Sequence, residues 1–134
     1  MKILIDILHP ADINFFKNAV AALNRKGIDI TIIVRPRGKM IEILKSELSN
    51  MQFTPVGRYH DSTSGKLFSV ATRNFNLILF LRKNNFDLCT SYGFFVGIAS
   101  RFYRMPSVIF ADDYEYKSTF YLSKFCGDYF VIPS

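Results

Sequence analysis

Short apolar segments alternate with helical patterns through all 134 residues, and nothing else in the sequence limits the fold so tightly. Lys2–Leu8, Ile28–Val34, Gln52–Val56, Asp87–Ser91, Ser107–Ala111 and Asp128–Ile132 are mostly apolar and often β-branched. Several are apolar on both faces, which suits parallel strands covered by helices on each side. Between them, Ile13, Phe16, Val20 and Leu23 recur at helical spacing, and Gly27 closes that helix. Phe95, Ile98, Phe102 and Met105 repeat the pattern before Pro106, and further helices are expected at Lys39–Leu48, Lys66–Lys83 and Glu115–Phe125. This rhythm predicts one doubly wound, Rossmann-like α/β domain over residues 1–134. Its parallel sheet would have six strands in the order 3-2-1-4-5-6 and helices on both faces.

Composition agrees with a packed domain. With 49% apolar and 21% charged residues, 5 Pro and 7 Gly, disorder, collagen and coiled coil are excluded. A chain of this length can bury roughly two-thirds of its unfolded surface. No apolar run reaches the ~18 residues of a membrane span, and Lys2-Ile3-Leu4-Ile5-Asp6 reads as a strand start rather than a signal peptide. Cys89 and Cys126 have no metal-ligand spacing, so a reduced, cytoplasmic protein is expected. The net charge of +6 is mostly helix decoration. Arg25-Lys26, Arg82-Lys83 and Arg101/Arg104 fall where helices should end, and without them 11 basic residues stand against 11 acidic ones. No nucleic-acid partner is expected. The basic cluster that remains is Arg35, Arg37 and Lys39.

In such sheets ligands sit at the carboxyl ends of the strands, near the reversal of strand order. The first such loop, His9-Pro10-Ala11-Asp12-Ile13-Asn14, contains no glycine, and neither G-x-G-x-x-G there nor G-x-x-x-x-G-K-[ST] anywhere is present. It offers a titratable His, an Asp and an Asn, which equally suit a helix cap. Asp6 interrupts an apolar strand, where it either orients the His9 loop or bonds to backbone. Arg35, Arg37 and Lys39 could hold an anion beside a helix start, or simply decorate a Pro-Gly turn. Ser91-Tyr92-Gly93 forms a polar turn where backbone can approach a ligand. Without G-x-S-x-G it is no nucleophile elbow. Asp112-Asp113-Tyr114-Glu115 can cap a helix, orient a His or bind a cation; without D-x-D spacing no metal site is expected. Residues 57–65 read as an exposed loop. The Lys66–Lys83 helix, apolar nearly all round, is either buried or, with Lys66, Arg73, Arg82 and Lys83, a membrane-touching surface.

Met1-Lys2-Ile3-Leu4-Ile5-Asp6-Ile7, Phe15-Phe16-Lys17, Leu23 to Gly27, Arg35, the 57–65 loop, Ser91-Tyr92-Gly93, Pro106 to Asp112 and Asp128 to Pro133 together resemble an uncharacterised bacterial and archaeal family with a GT-B, glycosyltransferase-like fold. Members of that family are about twice as long. The resemblance therefore implies the amino-terminal, acceptor-side half of a two-domain protein. The family pattern tends to carry His three residues before the Phe-Phe pair, where this chain has Asp12. The implied activity is transfer of a sugar from a nucleotide-sugar donor to an acceptor hydroxyl, in cell-surface polysaccharide or glycolipid synthesis, with neither metal nor cofactor. His9 would be the base, with Asp12 as competitor and Asp112 holding the imidazole; Asn14, Arg35, Ser91, Tyr92, Gly93 and Asp113 would bind substrate. A lipid-linked acceptor and peripheral contact with the inner membrane face would be consistent. The competing readings are a nucleotide-sugar 2-epimerase and a noncatalytic binding or membrane-docking domain.

Overall fold

The computed structural model describes residues 1–57, 63–111 and 117–132. Its elements run β1 (Lys2–Ile7), α1 (Pro10–Arg25), β2 (Asp29–Val34), α2 (Met40–Glu47), β3 (Phe53–Pro55), α3 (Thr63–Lys83), β4 (Leu88–Tyr92), α4 (Phe95–Arg101), β5 (Ser107–Phe110), α5 (Lys117–Cys126) and β6 (Tyr129–Val131). The strands form one sheet in the order β3-β2-β1-β4-β5-β6, with every pairing parallel. The Rossmann-like α/β class and strand order expected from the alternation are both present. Order reverses beside β1, so the loops after β1 and β4 face each other across the switch point.

The period of two along β1 sorts the core. Ile3, Ile5 and Ile7 face one layer, with Ile32, Val34 and the apolar stripe of α1 (Ile13, Phe16, Val20) and α2 (Met40, Leu44). Leu4 points the other way, into Ile33, Cys89 and Ile109, with Leu77 and Leu81 of α3 and Phe95, Val96 and Ala99 of α4. Burial pushes the Cys89 thiol up to about 12, which suits an inert core residue. Arg25, Arg82, Lys83 and Arg101 occupy last helical turns, where they complement the dipole.

By the same alternation Asp6 falls on Leu4's face, beneath α3. There it forms an ion pair with Arg73, and both side chains are fully buried. Arg73 also donates to the Val56 carbonyl after β3. Desolvation pushes the Asp6 carboxyl above its ordinary value while the Arg73 guanidinium pulls it down. The sequence had suggested loop orientation or a backbone bond for Asp6, and either burial or a membrane-touching surface for the helix that carries Arg73. A carboxylate on the α3 face needs a countercharge, and Arg73 supplies it from the helix that covers that face.

Two further differences follow from local packing. Helix α4 ends at Arg101, because the Tyr103 and Met105 N–H groups both return to Ser100 O and Arg104 takes φ 50°. Phe102, expected in the buried stripe, is therefore exposed, and Val96 and Ala99 take the inner positions. Helix α3 starts at Thr63, so residues 63–65 belong to it rather than to the 57–65 loop; residues 58–62 lie outside the described set. Near the sheet's far end α5 lies against α4. A Cβ on Gly97 would come within 2.8 Å of Cys126 O, so only glycine permits that approach.

Breaking the Asp6–Arg73 pair from one side strands a buried charge. Arg73→Met alone should therefore cost about 3–5 kcal/mol, and Asp6→Leu with Arg73→Met should recover most of it. Urea midpoints of the two variants check this. A single variant within about 1 kcal/mol of the parent would remove the pair from the list of structural constraints.

Candidate functional site

The turn from β1 into α1 is fixed by a reciprocal cap. Asp12 Oδ2 accepts the Leu8 and His9 N–H groups, each at 2.9 Å, and the Asp12 N–H donates to His9 O at 3.0 Å. His9 Nδ1 accepts the Ala11 N–H at 3.3 Å, while Pro10 occupies the first turn, where its missing donor is harmless. Asp12 is buried and His9 exposed. The carboxylate thus holds the turn, and the imidazole is bound by one long bond. That bond fixes a tautomer: a neutral ring accepting at Nδ1 carries its proton on Nε2.

Across the switch point, the Ser91 hydroxyl donates to Gly93 O at 2.7 Å, and the Gly93 N–H donates to Phe110 O at 3.1 Å. Gly93 takes φ 114°, a region only glycine enters without strain. These contacts bring β4 and β5 to a common edge, where Phe15 meets Tyr92 and Phe110 edge to face at 5.4 and 4.9 Å between ring centres. Phe15 and Phe16 also meet at 4.9 Å.

Between these loops and α5 opens a cleft of about 460 Å³. His9, Ala11 and Asp12 at the start of α1 line it together with Tyr92, Gly93, Phe110 and Ala111. Phe15 of α1 and Thr119, Phe120 and Ser123 of α5 complete it. The volume lies within the ~300–1,000 Å³ range of small-molecule sites, and the lining is mainly aromatic and apolar with a few polar groups.

Of the residues singled out in the sequence, His9, Asp12, Tyr92 and Gly93 come together here. Ser91 is buried beneath the turn, and Asn14 is exposed on α1 outside the cleft lining. Arg35 lies on the opposite side of β1 from β4. It donates to Ser69 Oγ of α3 at 2.7 Å, with its guanidinium 5.8 Å from the Phe95 ring centre. Arg37 and Lys39 are exposed on the same loop, away from the cleft lining. Asp112 and Asp113 lie outside the described residues, directly after the cleft-lining Ala111. Among the described residues no three His, Cys, Asp or Glu side chains gather closely enough to hold a metal ion.

The sequence reading missed the aromatic wall and all of α5's contribution. Phe15 carried a usable signal: it sits beside Phe16 but off the Ile13-Phe16-Val20 stripe, so it had to point elsewhere. Thr119, Phe120 and Ser123 carried none, because the packing of α4 against α5 brings them to the site.

The two members of the cap differ in what their loss should cost. Asp12→Ala removes the acceptor of two backbone donors and should cost about 1–2 kcal/mol, while His9→Ala loses one long bond and should stay within about 0.5 kcal/mol. Thermal unfolding followed by circular dichroism checks the order. A larger loss at His9 would make the imidazole, not the carboxylate, the support of the turn.

Solved structures share this fold at low sequence identity. MurG of Acinetobacter baumannii superposes with a TM-score of 0.77 at 13% identity, over 98% of this chain and 41% of that one. The UDP-GlcNAc 2-epimerase of Methanocaldococcus jannaschii gives 0.76 at 17% identity, over 100% and 40%. The glycosyltransferase VinC, in complex with dTDP, gives 0.66 at 13%, over 94% and 38%. The chain thus spans about two-fifths of the length of the structures it matches. These likenesses establish a GT-B-like domain fold. No curated protein matches the sequence. The family model described as "Protein of unknown function (DUF354)" matches residues 1–115, and the chain belongs to that family.

Proposed function

We propose that this chain is the acceptor-side, amino-terminal domain of a two-domain glycosyltransferase. It would move a sugar from a nucleotide-sugar donor to an acceptor hydroxyl in cell-surface polysaccharide or glycolipid synthesis. The observation that carries this reading is the cleft at the switch point, where a solvent-accessible imidazole stands beside an aromatic wall. The proteins of like fold include a glycosyltransferase solved with dTDP and a UDP-GlcNAc 2-epimerase, which supports a nucleotide sugar as partner.

In this reading His9 takes the proton of the acceptor hydroxyl. Its Nδ1 bond to the Ala11 N–H leaves Nε2 protonated, so Nε2 becomes a base only once the ring's proton moves to Nδ1 and that bond opens. A carboxylate such as Asp112 facing Nδ1 would favour the shift by accepting the Nδ1–H and would stabilise the imidazolium formed. Asp12 positions the turn. Asn14, Arg35, Ser91, Tyr92, Gly93 and Asp113 remain the proposed substrate contacts, with Tyr92 and Gly93 those that border the cleft.

His9→Ala, in the chain joined to a carboxyl-terminal nucleotide-binding half, should lower turnover about 10²–10⁴-fold and leave folding intact. Unchanged turnover, with Asp12→Asn inactive, would transfer the base to Asp12. The epimerase reading is favoured by the 2-epimerase of like fold, and product analysis with a UDP-sugar alone separates the two. Only an epimerase alters the sugar with no acceptor present.

A cytoplasmic location with contact at the inner membrane face belongs to the same proposal. Phe68, Phe75 and Leu79 are exposed at seven- and four-residue spacing on α3, and Arg82 and Lys83 follow them. None of the described helices is long and apolar enough to cross a membrane. Sedimentation with vesicles containing anionic lipid should retain the chain, and Phe68→Ser with Phe75→Ser should release it. Failure to sediment at low salt would sink the contact.

A further inference from the structure

At the opposite edge of the sheet from the His9 cleft, a separate cavity of about 450 Å³ opens at the amino ends of β5 and β6. Arg101, Arg104, Met105, Pro106, Asp128 and Tyr129 line it. The segment that carries Arg104 is built as a helix end. The Tyr103 and Met105 N–H groups close back on Ser100 O, and Arg104 between them takes φ 50°. Glycine ordinarily fills such a left-handed position, because a Cβ there costs free energy. Every other described residue at positive φ is a glycine. Arg104 is exposed, and its guanidinium makes no hydrogen bond or ion pair among the described residues. No such contact offsets the strain, and non-glycine residues held in this region gather at ligand clamps.

The other lining residues decide the chemistry of the ligand. Arg101 donates to Phe125 O, which anchors one corner of its guanidinium and leaves further N–H groups for a second partner. Asp128 is committed to the fold. Its Oδ2 accepts the Ser107 N–H at 2.8 Å and the Ser107 hydroxyl at 2.9 Å, and neither arginine lies within ion-pair distance of it. Two guanidinia against one carboxylate leave the cavity with an excess of positive charge. A carboxylate ligand fills a single guanidinium fork with its pair of oxygens, whereas a phosphoryl group has a third oxygen and can engage both arginines. Tyr129, 64% exposed, offers a ring against which the carbon portion of an ester can lie.

We propose that this cavity binds a phosphate ester, with its phosphoryl oxygens on Arg101 and Arg104 and its carbon portion against Tyr129. The site is separate from the His9 cleft and does not rest on the glycosyltransferase reading. A soluble glycerol phosphate and a glycerophospholipid headgroup present the same group to it, and the experiment distinguishes these two sources.

The test is an amide NMR titration of the 134-residue chain with glycerol 3-phosphate, paired with sedimentation on phosphatidylglycerol vesicles. The soluble ester should saturably shift Arg104, Met105 and Tyr129 and leave His9 and Gly93 in place. Arg104→Gly should weaken this binding about tenfold or more and raise Tm, because the strain leaves with the side chain that binds. Lys124→Ala removes an exposed cation outside the lining and should leave the affinity within about twofold. Vesicle retention that Arg104→Gly abolishes assigns the phosphate to a lipid headgroup. Binding of the soluble ester, with vesicle retention absent or unchanged by Arg104→Gly, assigns it to a soluble ester. No saturable shift, together with vesicle retention absent or indifferent to Arg104→Gly, overturns the site. An equal loss in Lys124→Ala also overturns it, since diffuse surface charge then suffices. So does a lowered Tm in Arg104→Gly, which would give the arginine a structural partner in place of a ligand.

Discussion

The buried pair of Asp6 and Arg73 is the constraint around which the carboxyl edge of the sheet is arranged. Asp6 occupies the penultimate position of β1, in register with Ile33 of β2 and Ser91 of β4. A carboxylate there must meet a cation from whatever covers that face, which fixes the rotation of α3 about its axis. Once Arg73 is committed inward, Leu77 and Leu81 follow it into the core at helical spacing, and Phe75 and Leu79 are turned outward. The same guanidinium bonds the Val56 carbonyl and lies 5.7 Å from the Phe95 ring centre. One side chain therefore links the ends of β1 and β3 to the start of α4. Such a pair adds little net stability over an apolar substitute, but it allows only one seating of the helix.

On the other face of the same strand the cap of α1 does comparable work with a different division of labour. Residues 12 and 9 have the chemistry to serve as a base, and the packing distinguishes them. The Asp12 carboxylate is buried and accepts from two backbone donors, so protonating or moving it would unfasten the turn it holds. The His9 ring is exposed and bound through a single 3.3 Å contact, so it can change tautomer without disturbing the strand-to-helix connection.

The frame of the fold was legible because it depends on local patterning. Apolar runs, Gly27 after α1 and Pro106 before β5 mark the elements to within a few residues. Asp6 was legible as an anomaly, since a charge in an apolar strand calls for a partner. Its partner lies 67 residues away on a helix whose charges read as surface, and no spacing rule connects the two. The α4 boundary was misjudged for a related reason: Phe102 continues the heptad-like stripe, but the backbone turns back to Ser100 one residue earlier. At the cleft, the lining residues His9, Asp12, Tyr92 and Gly93 had been named from topology alone. Those on α5 were not, because Ser123 becomes part of a cleft only through the close α4–α5 contact at Gly97.

That contact gives the cleft its character. With α5 held against α4 through a glycine, Thr119, Phe120 and Ser123 join Phe15, Tyr92 and Phe110 in the lining of one cleft. A wall of this kind attracts apolar surface without direction, so selectivity must come from its few polar groups. His9 is exposed while the Asp12 carboxylate is committed to the turn and the Ser123 hydroxyl is closed off from solvent, so the imidazole is a polar group that a ligand in the cleft can meet.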